Sequence, residues 1–477
     1  MIPPKKILFL IPILLVLQGC SAFRPELQSK QNSIDLLLSS DFFNSAQIGI
    51  SVYDLTDNKQ IYRKNDKLLL RPASNQKILT TAAAYLFLGS DYKFITSVYH
   101  TGDIIDSVCT GDLYISGGFD PEFTSGDLDS LVRQIKNFGI RKVEGGLYGD
   151  ISAMDSLFWG EGWSWDDDPA PFAPYLTPLC INKNSVQVAY EPGISGKPAR
   201  IKLIPDSDYF RVVNSSITAD SRISDFTVTR NWINRDNTIL VKGKISRLAQ
   251  PDTISLNVFN PAFYFLALMR ESLERNGISL QRIVDTSSVK TGSVKIFSFE
   301  RDLNPVISNA NKKSDNLNAE MILRALSGIT SKKSASAKKG IMHVDSLITL
   351  TGLNPNSYRI ADGSGLSNYN LLSAELIIEV QKYLYYKHPL LFNQFFNSLS
   401  VSGSDGTLIN RMKEPGLYKN IHGKTGSLSG VSNLSGVLQS RNNHLIAFSI
   451  LMQNFTGDSD RAKSIQDEIC KLIFESN

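Results

Sequence analysis

Ser74 and Lys77 stand three residues apart in the stretch Arg71-Pro72-Ala73-Ser74-Asn75-Gln76-Lys77, just ahead of the apolar, Ala-rich run from Ile78 to Leu86. Pro72 and Ser74 are helix-start residues, so the spacing places Ser74 on the first turn of a buried helix. Residues i and i+3 share a helix face, which brings the Lys77 amine within reach of the Ser74 hydroxyl. A serine hydroxyl is a poor nucleophile until a base takes its proton, and a lysine serves as that base when burial lowers its pKa. The pair is a candidate acylatable serine with its activator. S-x-x-K alone also reads as a helix cap followed by a solvated lysine.

Two further motifs narrow the choice. Ser314-Asp315-Asn316 fits S-x-N at the start of an amphipathic helix expected over 311–326, and His422-Gly423-Lys424-Thr425-Gly426-Ser427 holds K-T-G in a Gly-rich strand. The three in this order form the signature of penicillin-binding proteins and serine β-lactamases. In that company Ser314 is a proton-relay candidate beside Lys77, and Asn316 a donor to the substrate amide carbonyl. Lys424 and Thr425 would meet a terminal carboxylate, a task for a fixed cation and a hydroxyl. The backbone N–H groups of Ser74 and Ser427 would form the oxyanion hole. The K-T-G stretch, with Gly426 following the two side-chain donors, is expected on an edge strand, where a peptide can add as an extra strand.

The elements that must position these groups can be read around them. A hairpin of 48–53 and 60–63 delivers the chain to the Ser74 helix. From about 94 to 294 the sequence becomes a series of short strand-like pieces punctuated by Gly, Asp and Pro. A compact β-lactamase core has room for only a fraction of this between the first two motifs, so a large, mostly β insertion is expected. Within it, Trp159, Trp163 and Trp165 mark a loop that either packs or stacks on sugars. Helices are expected at 260–276, 374–386 and 461–474, and strands at 431–438 and 446–452.

At 477 residues the chain exceeds one core, and its 42% hydrophobic and 20% charged residues are those of an ordinary globular protein. Lys5 and Lys6 precede an apolar run from Ile7 to Leu17, too short to span a bilayer that needs ~20 helical residues, so 1–19 is expected to be a signal peptide. It ends in Leu17-Gln18-Gly19-Cys20, a lipobox-like sequence in which Cys20 would carry the lipid. Ser21 after it favours the outer membrane. The formal net charge of +4 includes the two signal lysines and leaves no basic footprint for nucleic acid. Cys109 and Cys180 are open to two readings, a disulfide or buried free thiols. The five histidines, at 100, 343, 388, 422 and 444, have no metal-ligand spacing.

Further stretches extend the resemblance: Gly111-Asp112-Leu113-Tyr114, Gly117-Gly118-Phe119-Asp120-Pro121, Gly149-Asp150, Gly162-Trp163-Ser164-Trp165-Asp166, Asp362-Gly363-Ser364-Gly365-Leu366, Asp405-Gly406-Thr407-Leu408 and Gly423 to Leu428. With them the chain resembles the D-alanyl-D-alanine carboxypeptidase/endopeptidase family of class C low-molecular-mass penicillin-binding proteins, almost over its full length. Cys20 and Phe119 are departures from the family pattern. The resemblance implies an α/β (α+β) fold of the penicillin-binding transpeptidase and serine β-lactamase type, an antiparallel sheet with helices on both faces. The expected division is a signal at 1–19, a tether at 20–40, a catalytic domain from 41–93 and 295–477, and an insert at 94–294. The insert would comprise two smaller mostly-β domains, 94–170 with 250–294, and 171–249. The implied partners are peptidoglycan stem peptides and their cross-links as substrates and β-lactams as inhibitors, with no cofactor, no metal and no nucleic acid. The implied place is the periplasm, with membrane contact only through the lipid anchor. A serine β-lactamase and a non-catalytic cell-wall-binding lipoprotein are the alternatives. No motif supplies a Glu for fast deacylation, which weighs against the first, and five intact motif residues weigh against the second.

Overall fold

The computed structural model describes residues 33–220, 225–281, 284–330 and 334–475. The expected signal segment and Cys20 therefore lie outside the described residues. The centre of the catalytic part is a six-stranded antiparallel sheet. Its strands run in the order Lys59–Lys64, Gln47–Asp54, Leu445–Gln453, Val431–Gln439, Ile421–Leu428 and Ser400–Val401. Both ends of the chain build it: Gln47–Asp54 pairs along its whole length with Leu445–Gln453.

Alternation along the strands explains why helices cover both faces. From Leu445–Gln453, Ala447 and Leu451 join a core with the helices Gln76–Phe87, Leu303–Lys312, Asn316–Thr330, Ala337–Leu350 and Ala374–Lys387. Ile446, Phe448, Ile450 and Met452 point the other way, into a core closed by the helix Asp460–Glu475. Ile34 is buried in that second core, so residues 33–38, which are helical, pack on the catalytic domain rather than serve as tether. The expected tether of 20–40 is too long at its C-terminal end because Ile34, Leu37 and Leu38 are an apolar stripe with a surface to cover.

The K-T-G strand differs from expectation in one respect. Ser400–Val401 pairs outside it, at Gly423 and His422, so Ile421–Leu428 is not the outermost strand. That short strand stops there, and the outer side from Lys424 to Leu428 remains unpaired by it. His422 stacks on Phe396 with ring centroids 3.7 Å apart, as a strand-packing residue would.

The insert carries a five-stranded sheet containing Lys93–His100, Leu113–Ser116 and Leu147–Asp150, flanked by the helices Ser125–Asn137 and Pro261–Arg275. A smaller unit holds a three-stranded sheet of Arg200–Ile204, Ser185–Glu191 and Asp252–Asn257. Asp252–Asn257 thus belongs to the smaller unit, and the boundary expected between 249 and 250 falls after it. Likewise Val294–Asp302 pairs with Lys93–His100, so the insert's sheet includes residues assigned above to the catalytic part. One hydrophobic core runs through both inserted units, from Leu113 and Leu131 to Val186 and Val241. Cys109 and Cys180 are buried free thiols.

Candidate active site

Ser74 sits in a 3-10 turn, Ala73–Asn75, which runs directly into the helix Gln76–Phe87. Ala73 holds φ +45°, a left-handed conformation that costs a residue with a side chain on the order of 1 kcal/mol or more. The strand Val431–Gln439 holds the turn in place. Asn433 donates to the carbonyls of Arg71 and Pro72 at 2.9 and 2.8 Å, and Asn75 donates to Ser435 Oγ at 2.7 Å. Gly426 packs so closely on the turn that a Cβ there would lie 3.1 Å from the Ser74 nitrogen. The end of the K-T-G strand therefore passes close to the Ser74 amide.

Lys77 is fully buried on the first turn of the helix. Its Nζ lies 2.9 Å from Ser74 Oγ, 2.6 Å from Asn316 Oδ1 and 2.7 Å from the Ser364 carbonyl oxygen. Two of these three partners only accept. A neutral amine spends its two N–H groups on Asn316 and Ser364 and turns its lone pair to the Ser74 hydroxyl. Burial pushes the Lys77 ammonium down to about 8, against the upward pull of Asp362, Asp315 and Glu320.

Lys424 is also fully buried, and its Nζ donates to Ser314 Oγ and to the Thr425 carbonyl, both at 2.9 Å. Burial first and the nearby Lys77 second hold it well below the ordinary lysine value. Ser314 holds φ +58°, so the S-x-N turn, like the Ser74 turn, contains a non-glycine left-handed residue. Thr425 Oγ1 pairs with Thr407 Oγ1 at 2.8 Å, which adds the Asp405-Gly406-Thr407 loop to the site. The structure thus brings Ser74, Lys77, Ser314, Asn316, Lys424, Thr425, Gly426 and Ser427 to one place. Asn316 departs from expectation: its Nδ2 already donates to the Phe172 carbonyl at 2.7 Å, so one N–H of the amide is left for a substrate.

The residues that fix this arrangement have no chemical role assigned from the sequence, although Asp362 and Trp163 stand in stretches that carry the family resemblance. Asp362 is buried and accepts from the Gly365 and Ser367 N–H groups, from Asn370 Nδ2 and from Trp163 Nε1, the last at 2.9 Å. Glu320, also buried, accepts from the N–H groups of Gly363 and Ser364 and pairs with Arg324 at 2.6 Å. Together they set the Ser364 carbonyl on Lys77. The Glu320-x-x-x-Arg324 spacing was a visible i,i+4 pair, but nothing local showed that it would be buried. From the insert, Lys183 reaches Glu122 at 2.6 Å, Asp315 at 3.0 Å and Asn318 at 2.6 Å, tying the inserted domains to the S-x-N helix. Beside this tie opens a cavity of about 700 Å³, lined by Phe172, Lys183, Gln187, Ser255 and the stretch from Lys313 to Leu317.

Comparison with known proteins agrees with this geometry. The chain is 28% identical over 432 residues to the D-alanyl-D-alanine carboxypeptidase DacB of Haemophilus influenzae, covering 89% of this chain and 90% of that protein. It is 28% identical over 461 residues to the D-alanyl-D-alanine carboxypeptidase of an Actinomadura species, covering 93% and 84%. The crystal structure of penicillin binding protein 4 from Haemophilus influenzae superposes with a TM-score of 0.82 at 25% identity, over 93% of this chain and 99% of that one. The same protein complexed with a β-lactam superposes with a TM-score of 0.76 at 26% identity, over 92% and 98%. The fold is therefore that of the penicillin-binding peptidases. The family model for the D-Ala-D-Ala carboxypeptidase 3 (S13) family matches residues 30–475, and the chain belongs to that family of peptidases.

Proposed function

We propose that the chain is a serine D-alanyl-D-alanine carboxypeptidase that also cleaves D-alanyl cross-links, through an acyl-enzyme at Ser74. The observation that carries this reading is the set of partners around Lys77 Nζ, which leaves the lone pair of the neutral amine for the Ser74 proton. Lys77 takes that proton as Ser74 Oγ bonds to the carbonyl carbon of the penultimate D-alanine. The oxyanion is held by the N–H groups of Ser74 and Ser427. The C–N bond to the leaving D-alanine breaks as the amine receives a proton through Ser314, which Lys424 orients at 2.9 Å. Lys424, Thr425 and the Thr407 hydroxyl beside it receive the substrate carboxylate, while Gly426 lets the strand approach. Water then hydrolyses the ester and restores Ser74.

The cavity of about 700 Å³ beside Ser314 and Asn316 exceeds the need of one leaving D-alanine and supports cross-link cleavage, in which the leaving group is a second stem peptide. β-Lactams, which the Haemophilus relative binds, should acylate Ser74 in the same way. Glu320, the buried carboxyl behind the site, is spent on two N–H groups and Arg324, and so is no base for fast release of the acyl group. Export with a lipid on Cys20 is part of the reading and rests on Leu17-Gln18-Gly19-Cys20. Labelled palmitate should enter the wild type and not Cys20→Ser.

The deciding experiment labels wild type and Ser74→Ala with a fluorescent penicillin and identifies muropeptides by mass spectrometry after incubation with cross-linked peptidoglycan. Label on the wild type alone, with loss of D-alanine and of cross-links, is the expected result. Equal label on both proteins, or unchanged muropeptides, would overturn the reading.

A further inference from the structure

The chain's four tryptophans divide into two pairs. Trp159 and Trp163 face inward, 5.3 Å apart edge to face, and Trp163 is bonded to Asp362. Trp165 does the opposite: it is 72% exposed and lies against Trp232, centroid to centroid 5.1 Å, with the ring planes tilted by 37°. The two rings come from different places, Trp165 from the loop that crosses the catalytic part and Trp232 from the smaller inserted unit.

A buried cluster close to both in sequence ties their two segments together. Asp168, three residues after Trp165, pairs with Arg230, two residues before Trp232, and neither is accessible. Arg230 also donates to Asn257 Oδ1 and to the Asp236 carbonyl, each at 3.0 Å, and Tyr175 donates to Asp168 at 2.7 Å. An ion pair taken out of water is retained at a desolvation cost, which here serves to hold two loops in register. A tryptophan held in water forgoes the burial its ring would contribute. A rigid support under an exposed indole, Trp165, backed by a half-buried one, Trp232, is the form of a ligand platform.

We propose that Trp165 and Trp232 are a sugar-stacking subsite for the glycan strand that carries the stem peptide. The inference rests on the peptidoglycan reading above. A pyranose has an apolar C–H face and a rim of hydroxyls, and two tilted indoles offer faces to successive rings. Asp166 and Asn234, exposed and next to the indoles in sequence, offer acceptors for hydroxyl and N-acetyl groups, and the carboxylate of Asp166 would repel a polyanion such as a nucleic acid. Position agrees with this. Trp163, at one end of the loop, bonds the turn that sets Ser364 on Lys77, and Phe172, at the other, bonds Asn316. Trp165 therefore lies in a loop that is anchored at both ends to the catalytic centre. An extended stem peptide of four or five residues spans roughly 15 Å, so the sugar that bears it lies about that far from Ser74 when its D-alanine is bound there, within reach of a loop anchored at the site.

The test compares wild type, Trp165→Ala and Trp232→Ala on two substrates, a glycan-linked pentapeptide and the same pentapeptide without sugar, alongside fluorescence titration with chitotetraose. The expected result is a KM for the glycan-linked substrate raised about fivefold or more, chitotetraose binding lost, and both the free-peptide reaction and penicillin acylation retained. Equal KM changes on the two substrates would overturn the subsite, since they report a loop that only shapes the groove. So would absence of chitotetraose binding by the wild type, or variants that change oligomeric state without changing KM, which would assign the rings to a protein partner. Failure of the peptidase reading is separate: it shows as a wild type that cleaves neither substrate, whatever the titration with chitotetraose reads.

Discussion

On the proposed mechanism Lys77 sets the pH dependence of this site. The proton of Ser74 has nowhere to go while Lys77 is an ammonium, because all three N–H bonds are then donated. Its pKa is lowered to about 8 by burial, so the reactive neutral form grows as pH rises through about 8. The rate of penicillin acylation should therefore rise with pH along a limb centred near 8 and fall tenfold per unit well below it; a flat profile from pH 6 to 9 would show that Lys77 is not the base. Asp315 is among the carboxylates that pull this value up, so Asp315→Asn should move the limb to lower pH. Lys77→Met keeps the length of the side chain and removes the amine. It should cost acylation 10²-fold or more, the usual scale of a general base, with a stability loss of only about 1 to 3 kcal/mol, because Asn316 Oδ1 and the Ser364 carbonyl lose a donor while a desolvated amine is removed. A melting temperature far below wild type would instead make the amine a structural tie.

At the scale of elements, the loop 362–367 is the part that sets the lysine. Gly365 holds φ +82°, and a Cβ there would fall 1.8 Å from the Ala73 carbonyl oxygen, directly behind Ser74. Gly365→Ala should therefore displace the serine turn and lower the penicillin acylation rate at least tenfold, with a stability loss of about 1 to 3 kcal/mol. A variant that unfolds earlier yet acylates at the wild-type rate would refute that coupling. The three motifs were legible because each is local in sequence, S-x-x-K in one turn, S-x-N at one helix start and K-T-G in one strand, although the bonds that join them, Lys77 to Asn316 and Lys424 to Ser314, run between distant segments. The helices 261–275 and 460–475 were legible too, from apolar periodicity. The order of strands was not, because Gln47–Asp54 finds Leu445–Gln453 across nearly the whole chain. Ser400–Val401, which covers part of the K-T-G strand, is only two residues long and has no pattern to read. The bonds of Asp362, Glu320 and Trp163 join distant segments, and burial of their polar atoms follows from packing alone.

In the whole molecule the insert is coupled to the catalytic centre by Lys183. It stands in a run, Asn182 to Asn184, in which three successive non-glycine residues have positive φ, so the backbone is bent to deliver this one side chain. Its amine meets Glu122 from the insert and Asp315 and Asn318 from the S-x-N helix. Glu122 in turn accepts from Asn309 and Asn318. Lys183→Met leaves Glu122 and Asp315 facing each other without the cation between them. The groups are partly exposed, so the stability loss should be modest, about 1 kcal/mol. Ser314 adjoins Asp315, and its left-handed turn depends on where that helix start is held. Acylation should thus slow more than the stability loss explains, about tenfold, and cleavage of cross-linked muropeptides should slow further because Lys183 also lines the cavity beside Ser314. In the double variant Lys183→Met with Glu122→Gln the repulsion is relieved, so stability should recover while the rate stays low. If the single variant acylates at the wild-type rate, the insert does not position the S-x-N turn; if rate and stability recover together in the double variant, Lys183 acts only by neutralising charge and not as the strut that holds Ser314 against Lys424.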